Sequence, residues 1–205
     1  MSSAALMLFI PTFIAVSVTP GMCMTLAMTL GMSVGFKRAL WMMAGELVGV
    51  GLVAVCSVVG VAVVMLAYPD FFTVFKWVGG AYLIYLGVQL WRSRGKMSLS
   101  SDKKTAAIPP LTLMLQGFVT AVANPKGWAF FIALLPPFIA YERPLFGQLA
   151  ILVGIILVIE WCSLMLYALG GSSLRALLQQ EKHVRMLNKI AGVLMMGVGV
   201  WLALE

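Results

Sequence analysis

Six long runs of apolar residues follow one another along the chain, separated by short polar stretches. They cover residues 4–35, 39–67, 71–91, 111–140, 147–169 and 187–204. A helix that crosses the hydrocarbon core of a bilayer needs about 20 predominantly apolar residues, and each run reaches or nearly reaches that length. The pattern therefore predicts an all-α integral membrane protein with six transmembrane helices, numbered here as spans 1 to 6.

The first and fourth runs are longer than one straight helix needs, and each has a proline near its centre. Thr19-Pro20-Gly21 interrupts the first run, and Asn124-Pro125-Lys126 interrupts the fourth. Threonine and asparagine cap helices, and proline is favoured at the first helical position. Spans 1 and 4 are therefore predicted to break at these prolines. Each restarted half-helix would begin with free N–H groups at the positive end of its dipole.

Basic residues between the runs indicate how the chain is oriented. Eleven follow spans 1, 3 and 5: Lys37, Arg38, Arg92, Arg94, Lys96, Lys103, Lys104, Arg175, Lys182, Arg185 and Lys189. The other side has only Lys76 and Arg143. Because basic loops stay cytoplasmic, six crossings place both termini outside, in the periplasm of a Gram-negative cell. The alternative makes runs 1 and 4 re-entrant hairpins, which would separate the basic clusters.

The chain divides into two similar halves. Residues 92–110 form a basic, serine-rich linker on the cytoplasmic side, between a three-span repeat at 1–91 and a second at 111–205. An odd number of spans per half inverts the second half relative to the first. The proline break recurs in the first span of each half, and a glutamate recurs in each second span. We therefore expect two inverted repeats, the arrangement that places a transporter site at paired helix breaks.

Composition agrees with a membrane protein and argues against a soluble domain, a nucleic-acid-binding protein and a metalloenzyme. The chain of 205 residues is 62% hydrophobic and 10% charged, whereas soluble domains average about 25% charged residues. The net charge of +7 is explained by the cytoplasmic loops, so no nucleic-acid partner is expected. The three cysteines and the single histidine show no metal-ligand spacing. We expect no metal, no cofactor and no enzymatic activity.

Glu46 and Glu160 are the only acids within the apolar spans. Ionisable residues at membrane depth are costly and are functional candidates by default. Glu160, which shares a helical face with Ser163 and Tyr167, is predicted to be the deeper acid and the better proton-coupling residue. Glu46 is predicted to lie nearer the cytoplasmic end. The alternative is a packing role, with each glutamate protonated or hydrogen-bonded to a neighbouring span.

Lys126 is the only basic residue within a span. Beside the start of a half-helix it would hold an anionic group of a substrate, or else pair with a buried acid. Asn124 is expected to cap the restarted helix. Gln116 and Thr120 precede Asn124 at intervals of four residues, which predicts one polar stripe facing protein or water.

Four motifs follow one another over essentially the whole chain. They are Thr19-Pro20-Gly21, the run from Phe75 to Gly87 with Lys76-Trp77-Val78-Gly79, Gln116-Gly117-Phe118, and Asn124-Pro125-Lys126. Together they resemble the LysE/RhtB family of amino-acid exporters. The chain departs from the family at Met22 and Cys23, where relatives have proline and then asparagine or aspartate.

The resemblance implies secondary efflux of amino acids, of the homoserine, threonine or leucine type, coupled to protons across the bacterial inner membrane. The expected partners are the amino-acid substrate and membrane lipid, with a homodimer left open. The expected binding residues are Thr19, Pro20, Gly21, Gln116, Thr120, Asn124, Pro125 and Lys126, and the expected coupling residues are Glu160 and Glu46. A carrier for another small metabolite or ion and a passive channel are the alternatives.

Overall fold

The computed structural model describes residues 3–67, 71–92, 108–140 and 144–204, and these ranges contain helices and no strand. The linker predicted at 92–110 lies almost entirely outside the described residues. The helices are α1 Ser3–Val18, α2 Met22–Ser33, α3 Phe36–Ala67, α4 Phe71–Arg92, α5 Pro110–Val122, α6 Pro125–Leu134, α7 Leu145–Gln179 and α8 Glu181–Leu204, with a short 3-10 helix at Pro136–Phe138.

Both predicted helix breaks are present. The axes of α1 and α2 differ by 52° across the first break. The second break separates α5 from α6, which begins at Pro125 as its sequence predicts. The first break differs from its prediction, because α2 begins at Met22 rather than at Pro20.

The side chain of Thr19 explains this difference. Its hydroxyl donates to the carbonyl oxygen of Ala15 at 2.7 Å, and its N–H donates to the same oxygen at 3.2 Å. Threonine hydroxyls commonly bond back to the carbonyl four residues earlier. Thr19 therefore extends the hydrogen bonding of α1, and the predicted cap on α2 is wrong. The residue before α2 is Gly21, which makes no side-chain cap.

Several helices have the length and composition of membrane spans. Among the described residues these are Phe36–Val61, Leu145–Gly171 and Glu181–Trp201, and the bent pair Leu6–Val18 with Met22–Ser33 makes up to four. Helix α4 has 22 residues, whereas α5 and α6 are short apolar helices on the two sides of a break. The all-helical class is thus confirmed for the described residues, its apolar helices are compatible with a membrane protein, and the full count of six crossings stays a prediction.

Close backbone contacts show that α3 and α5 run parallel. Arg38 donates to the carbonyl oxygen of Ile108 at the start of both helices. One to two turns later, a Cβ placed on Gly45 would lie 1.9 Å from the carbonyl oxygen of Met114. Residue numbers therefore increase in the same direction along α3 and α5, from Arg38 and Ile108 to Gly45 and Met114. Only glycine allows such close approach, as small residues do in membrane helix pairs.

Helices α1 and α2 run parallel to α7 in the same way. Ser17 contacts Glu160, and further along both chains a Cβ on Gly31 would lie 2.3 Å from the carbonyl oxygen of Ala168. Just past this contact α7 is kinked at Gly171, whose φ of 43° is in the region that favours glycine.

Helices α4 and α8 pack antiparallel through two pairs of glycines. A Cβ on Gly80 would lie 2.8 Å from the carbonyl oxygen of Gly199, and one on Gly199 would lie 2.6 Å from that of Gly80. Gly87 and Gly192 repeat the same reciprocal contact at 2.6 and 2.5 Å. The pairs are seven residues apart on each helix, which is two turns.

Where the structure describes them, the buried apolar side chains form two clusters. One is rich in phenylalanine and includes Phe9, Phe13 and Phe130. The other is rich in methionine and includes Met28 and Met42. The two helix breaks contribute residues to a cavity whose wall contains members of both clusters.

Candidate functional site

A cavity of about 420 Å³ lies where the two helix breaks approach each other. This volume is within the range of about 300–1,000 Å³ found for small-molecule sites. Its wall consists of Phe13, Val16, Ser17, Thr19, Pro20, Gly21, Met22, Cys23, Met24, Glu46, Val50, Val53, Ala121, Asn124, Gly127, Phe130, Phe131 and Glu160. The structure therefore brings the first break, Asn124 of the second break and both span glutamates into one site.

The first turn of α2 borders this cavity. The first hydrogen bond within α2 runs from the N–H of Thr25 to the carbonyl oxygen of Gly21 at 2.9 Å. The N–H groups of Met22, Cys23 and Met24 precede that bond, and all three residues line the cavity. Helix N-termini of this kind favour negatively charged ligand groups.

Glu160 is held by hydroxyl groups. Ser17 donates to its Oε2 atom at 2.5 Å, and the hydroxyls of Ser17 and Ser163 are 2.9 Å apart. A hydrogen bond to a carboxylate is short and strong because of the charge on its acceptor. Ser17, from α1, thus fixes the orientation of a carboxyl group on α7.

Glu46 has a different environment. Its exposed fraction is 0%, and neither carboxyl oxygen makes a hydrogen bond within the described part of the chain. The sequence predicted it to lie nearer the cytoplasmic end of its span, and the structure shows its side chain fully buried against α5 and the start of α2. A buried polar group without a partner is costly and calls for an explanation such as a missing ligand or proton.

The polar groups of the cavity gather around Cys23. Its thiol lines the cavity with Asn124 and is near enough to Glu46 and Glu160 to interact electrostatically with both, and the two carboxyl groups also interact electrostatically with each other. Cys23, one of the three cysteines without metal-ligand spacing, therefore lies at the polar end of the site. In the described part of the chain, no group of three or more histidine, cysteine, aspartate or glutamate side chains could hold a metal ion.

Tyr167 ties the first break to α7. Its hydroxyl donates to the carbonyl oxygen of Val18, the last residue of α1, at 2.7 Å. Glu160, Ser163 and Tyr167 contact adjacent residues at this break, which confirms that they share one face of α7. A helix end leaves carbonyl groups without intrahelical partners, and Tyr167 satisfies one of them.

Three phenylalanine rings form an apolar wall of the cavity. Phe13 on α1 has its ring centre 6.0 Å from those of Phe130 and Phe131 on α6. The centres of Phe130 and Phe131 are 5.8 Å apart. All three side chains are at most 5% exposed. Such distances are typical of favourable aromatic pairs.

The predicted polar stripe along span 4 does not reach the cavity as a unit. Gln116 is exposed, and Thr120 donates to the carbonyl oxygen of Gln116 at 2.7 Å. Helix α5 ends at Val122, so the spacing of four residues no longer places Asn124 on their face. Only Asn124 lines the cavity, and the binding roles of Gln116 and Thr120 stay predictions.

Pro125 and Lys126 belong to the first turn of α6. Their side chains lie outside the described residues, so their contribution to the site also stays a prediction.

Sequence reasoning missed Ser17 and the three phenylalanines. Phenylalanine in an apolar run looks the same whether it faces lipid, a core or a cavity. Ser17 lies two residues before Thr19 in an otherwise apolar stretch, and this weak signal could have identified it.

Comparison with known proteins gives the chain its family. Residues 14–205 match the model of the LysE type translocator family. The homoserine/homoserine lactone efflux protein of Salmonella typhimurium is 31% identical over 195 residues, covering 95% of this chain and 94% of that protein.

More distant relatives agree. A leucine efflux protein of Klebsiella pneumoniae is 24% identical, covering 84% of this chain and 82% of that protein. An uncharacterised membrane protein of Vibrio cholerae is 26% identical over 195 residues. No solved structure matches. From the family model over most of its length and the relative at 31% identity, the chain belongs to the LysE type translocator family.

Proposed function

We propose that this protein is a transporter that exports neutral amino acids across the bacterial inner membrane in exchange for protons. The observation that carries the proposal is the cavity at the helix breaks, which contains two buried acids and the N-terminus of α2. The names of two relatives, a homoserine/homoserine lactone and a leucine efflux protein, support amino-acid export.

The α-carboxylate of the substrate binds at the start of α2. Its N–H groups at Met22, Cys23 and Met24 are positioned for an anion, and the helix dipole adds to the attraction. Asn124 and Gly127 bring the start of α6 to the same cavity. Lys126, the second residue of α6, adds a positive charge at this end in the proposal.

The ammonium group of the substrate and the transported proton compete for Glu46 and Glu160. Two interacting carboxyl groups in a buried site are unfavourable when both are charged and unpaired. A proton or an ammonium group relieves that cost, so one replaces the other when the cavity opens to each side. A gradient that drives protons into the cell then drives the substrate out.

The helix directions support six alternating crossings. Spans 1 and 5 run parallel, as do spans 2 and 4, whereas spans 3 and 6 run antiparallel. Alternate crossings of one membrane require this set of directions. The bend of 52° at the first break lets the chain continue across the membrane, whereas a re-entrant hairpin must reverse it.

The same directions suit an inverted repeat made of 1–91 and 111–205. In such a repeat span 1 corresponds to span 4 and span 2 to span 5, so the parallel pair of spans 1 and 5 corresponds to the parallel pair of spans 4 and 2. In this arrangement the linker at 92–110 is cytoplasmic and both termini are periplasmic.

Transport by reconstituted protein tests the proposal. Proteoliposomes are loaded with radiolabelled leucine, threonine or homoserine, and the external buffer is made acidic. We expect gradient-driven efflux of at least one amino acid. Glu160→Gln and Glu46→Gln should reduce it to the rate of protein-free liposomes. Glu181→Gln changes an exposed acid at the start of α8 and should leave efflux intact.

Two results would contradict the proposal. Efflux that survives both cavity substitutions removes the acids from the coupling mechanism. Efflux without counterflow between labelled and unlabelled substrate indicates a passive channel, because only a carrier returns loaded from the opposite side.

A further inference from the structure

We infer that the transported amino acid has an apolar side chain, and that the wall formed by Phe13, Phe130 and Phe131 receives it. This inference rests on the proposed function and names the substrate class of the same site.

The cavity has a polar end and an apolar end at a suitable distance. Phe13 precedes Ser17 by four residues, and Phe130 and Phe131 follow Pro125 by five and six. Phe13 also precedes Val18, the end of α1, by five residues, so at 1.5 Å per helical residue the rings lie about 7.5–9 Å along the helices from the breaks. An amino acid that places its charged groups at the breaks therefore extends its side chain toward the rings.

The hydroxyl groups of the cavity wall are already engaged within the protein. Ser17 is bonded to Glu160 and Ser163. Thr19 donates its hydroxyl proton to Ala15. The acids and the α2 N–H groups are used by the ammonium and carboxylate groups of the substrate.

Beside the rings, the wall is completed by Val50, Val53 and Ala121, which offer no side-chain donor or acceptor. A substrate hydroxyl placed there loses its water without a replacement partner, and this loss is unfavourable. An alkyl group of the same size gains contact with the rings and displaces water. The wall therefore selects against homoserine and threonine relative to amino acids in which a methyl group replaces the hydroxyl.

Two pairs of amino acids isolate this effect. Norvaline and homoserine differ only in a terminal methyl or hydroxyl group, and so do valine and threonine. Apolar pockets discriminate between such isosteres by at most about 100-fold. We expect a preference for norvaline over homoserine, and for valine over threonine, of about 10- to 100-fold.

Counterflow into proteoliposomes measures this preference. The full-length protein is reconstituted, one unlabelled amino acid is trapped inside, and uptake of radiolabelled leucine is followed. The concentration of trapped amino acid that gives half-maximal stimulation should be at least tenfold lower for norvaline than for homoserine. Equal or lower values for homoserine would overturn the inference while leaving amino-acid export intact. Absence of exchange for leucine, threonine and homoserine, each followed with its own radiolabel, would instead overturn the proposed function.

Variants of one ring connect the preference to the wall. Phe131→Ala should reduce the norvaline preference about tenfold, and Phe131→Leu, which keeps most of the packing, should reduce it less. Ile132→Ala is the matched control, because Ile132 adjoins Phe131 in sequence and is 40% exposed. An unchanged preference in the leucine and alanine variants would show that the rings do not receive the side chain.

Discussion

Glu46 and Glu160 show how neighbouring residues give two identical side chains different surroundings. Glu160 accepts a short hydrogen bond from Ser17, whereas neither oxygen of Glu46 makes a hydrogen bond among the described residues. A carboxyl group that is already fixed costs little further ordering when it binds a cation. We therefore expect Glu160 to position the ammonium group and Glu46 to compensate the remaining charge.

Replacing Ser17 tests this division. Ser17→Ala removes a hydrogen bond to a charged acceptor, which contributes about 1.5–3 kcal/mol. Gradient-driven efflux from proteoliposomes should fall by roughly 10- to 100-fold, as such energies imply. Ser163→Ala is the matched control, since Ser163 contacts Ser17, and it should have a smaller effect. A larger loss in the Ser163 variant would contradict the role given to Ser17.

The three phenylalanines of the cavity wall could not be predicted from the sequence. Both acids were found from sequence because charge inside an apolar run is conspicuous. Phe13 and Phe130 were not, because their spacing within a helix does not reveal which of several faces meets the cavity. Contacts between residues more than one hundred positions apart decide that question.

At the scale of helices, each break depends on both its proline and its side-chain bonds. Asn124-Pro125 predicted the start of α6 correctly. Thr19-Pro20 did not predict the start of α2, because the threonine hydroxyl bonded backward to Ala15. A threonine can cap the following helix or bond back to the preceding one. The sequence is the same in both cases, and only the folded structure shows which bond forms.

Tyr167 allows the stability of the first break to be measured. Tyr167→Phe leaves the carbonyl group of Val18 without its hydroxyl donor, which should cost about 1–3 kcal/mol. The melting temperature of the detergent-purified protein should fall by several degrees. Tyr85→Phe removes a hydroxyl from an exposed tyrosine that contacts Gln89 and should change the melting temperature less. Equal shifts would show that Tyr167 does not support the break.

At the scale of the whole molecule, the side of the membrane on which each loop lies distinguishes a chain with six crossings from one in which runs 1 and 4 are re-entrant hairpins. Ser100→Cys, Glu142→Cys and Gln180→Cys are made singly in a chain whose natural cysteines are replaced by alanine. A membrane-impermeant maleimide should label position 142 from outside intact cells, and positions 100 and 180 only after the membrane is opened. Labelling of positions 100 and 180 from opposite sides would support the hairpins instead.

The glycine contacts have a consequence for how such a molecule can change shape. Gly31 against Ala168, Gly45 against Met114, and the seam of Gly80 with Gly199 each join one sequence half to the other. Backbone contact this close favours motion of each helix pair as one unit. We therefore expect two moving units, each containing one span from each sequence half: spans 1 and 5 in one unit, and spans 2 and 4 in the other. Both units would rotate relative to the helix pair α4 and α8, which stays in place. The two sequence repeats, 1–91 and 111–205, would then not be the units that move during transport.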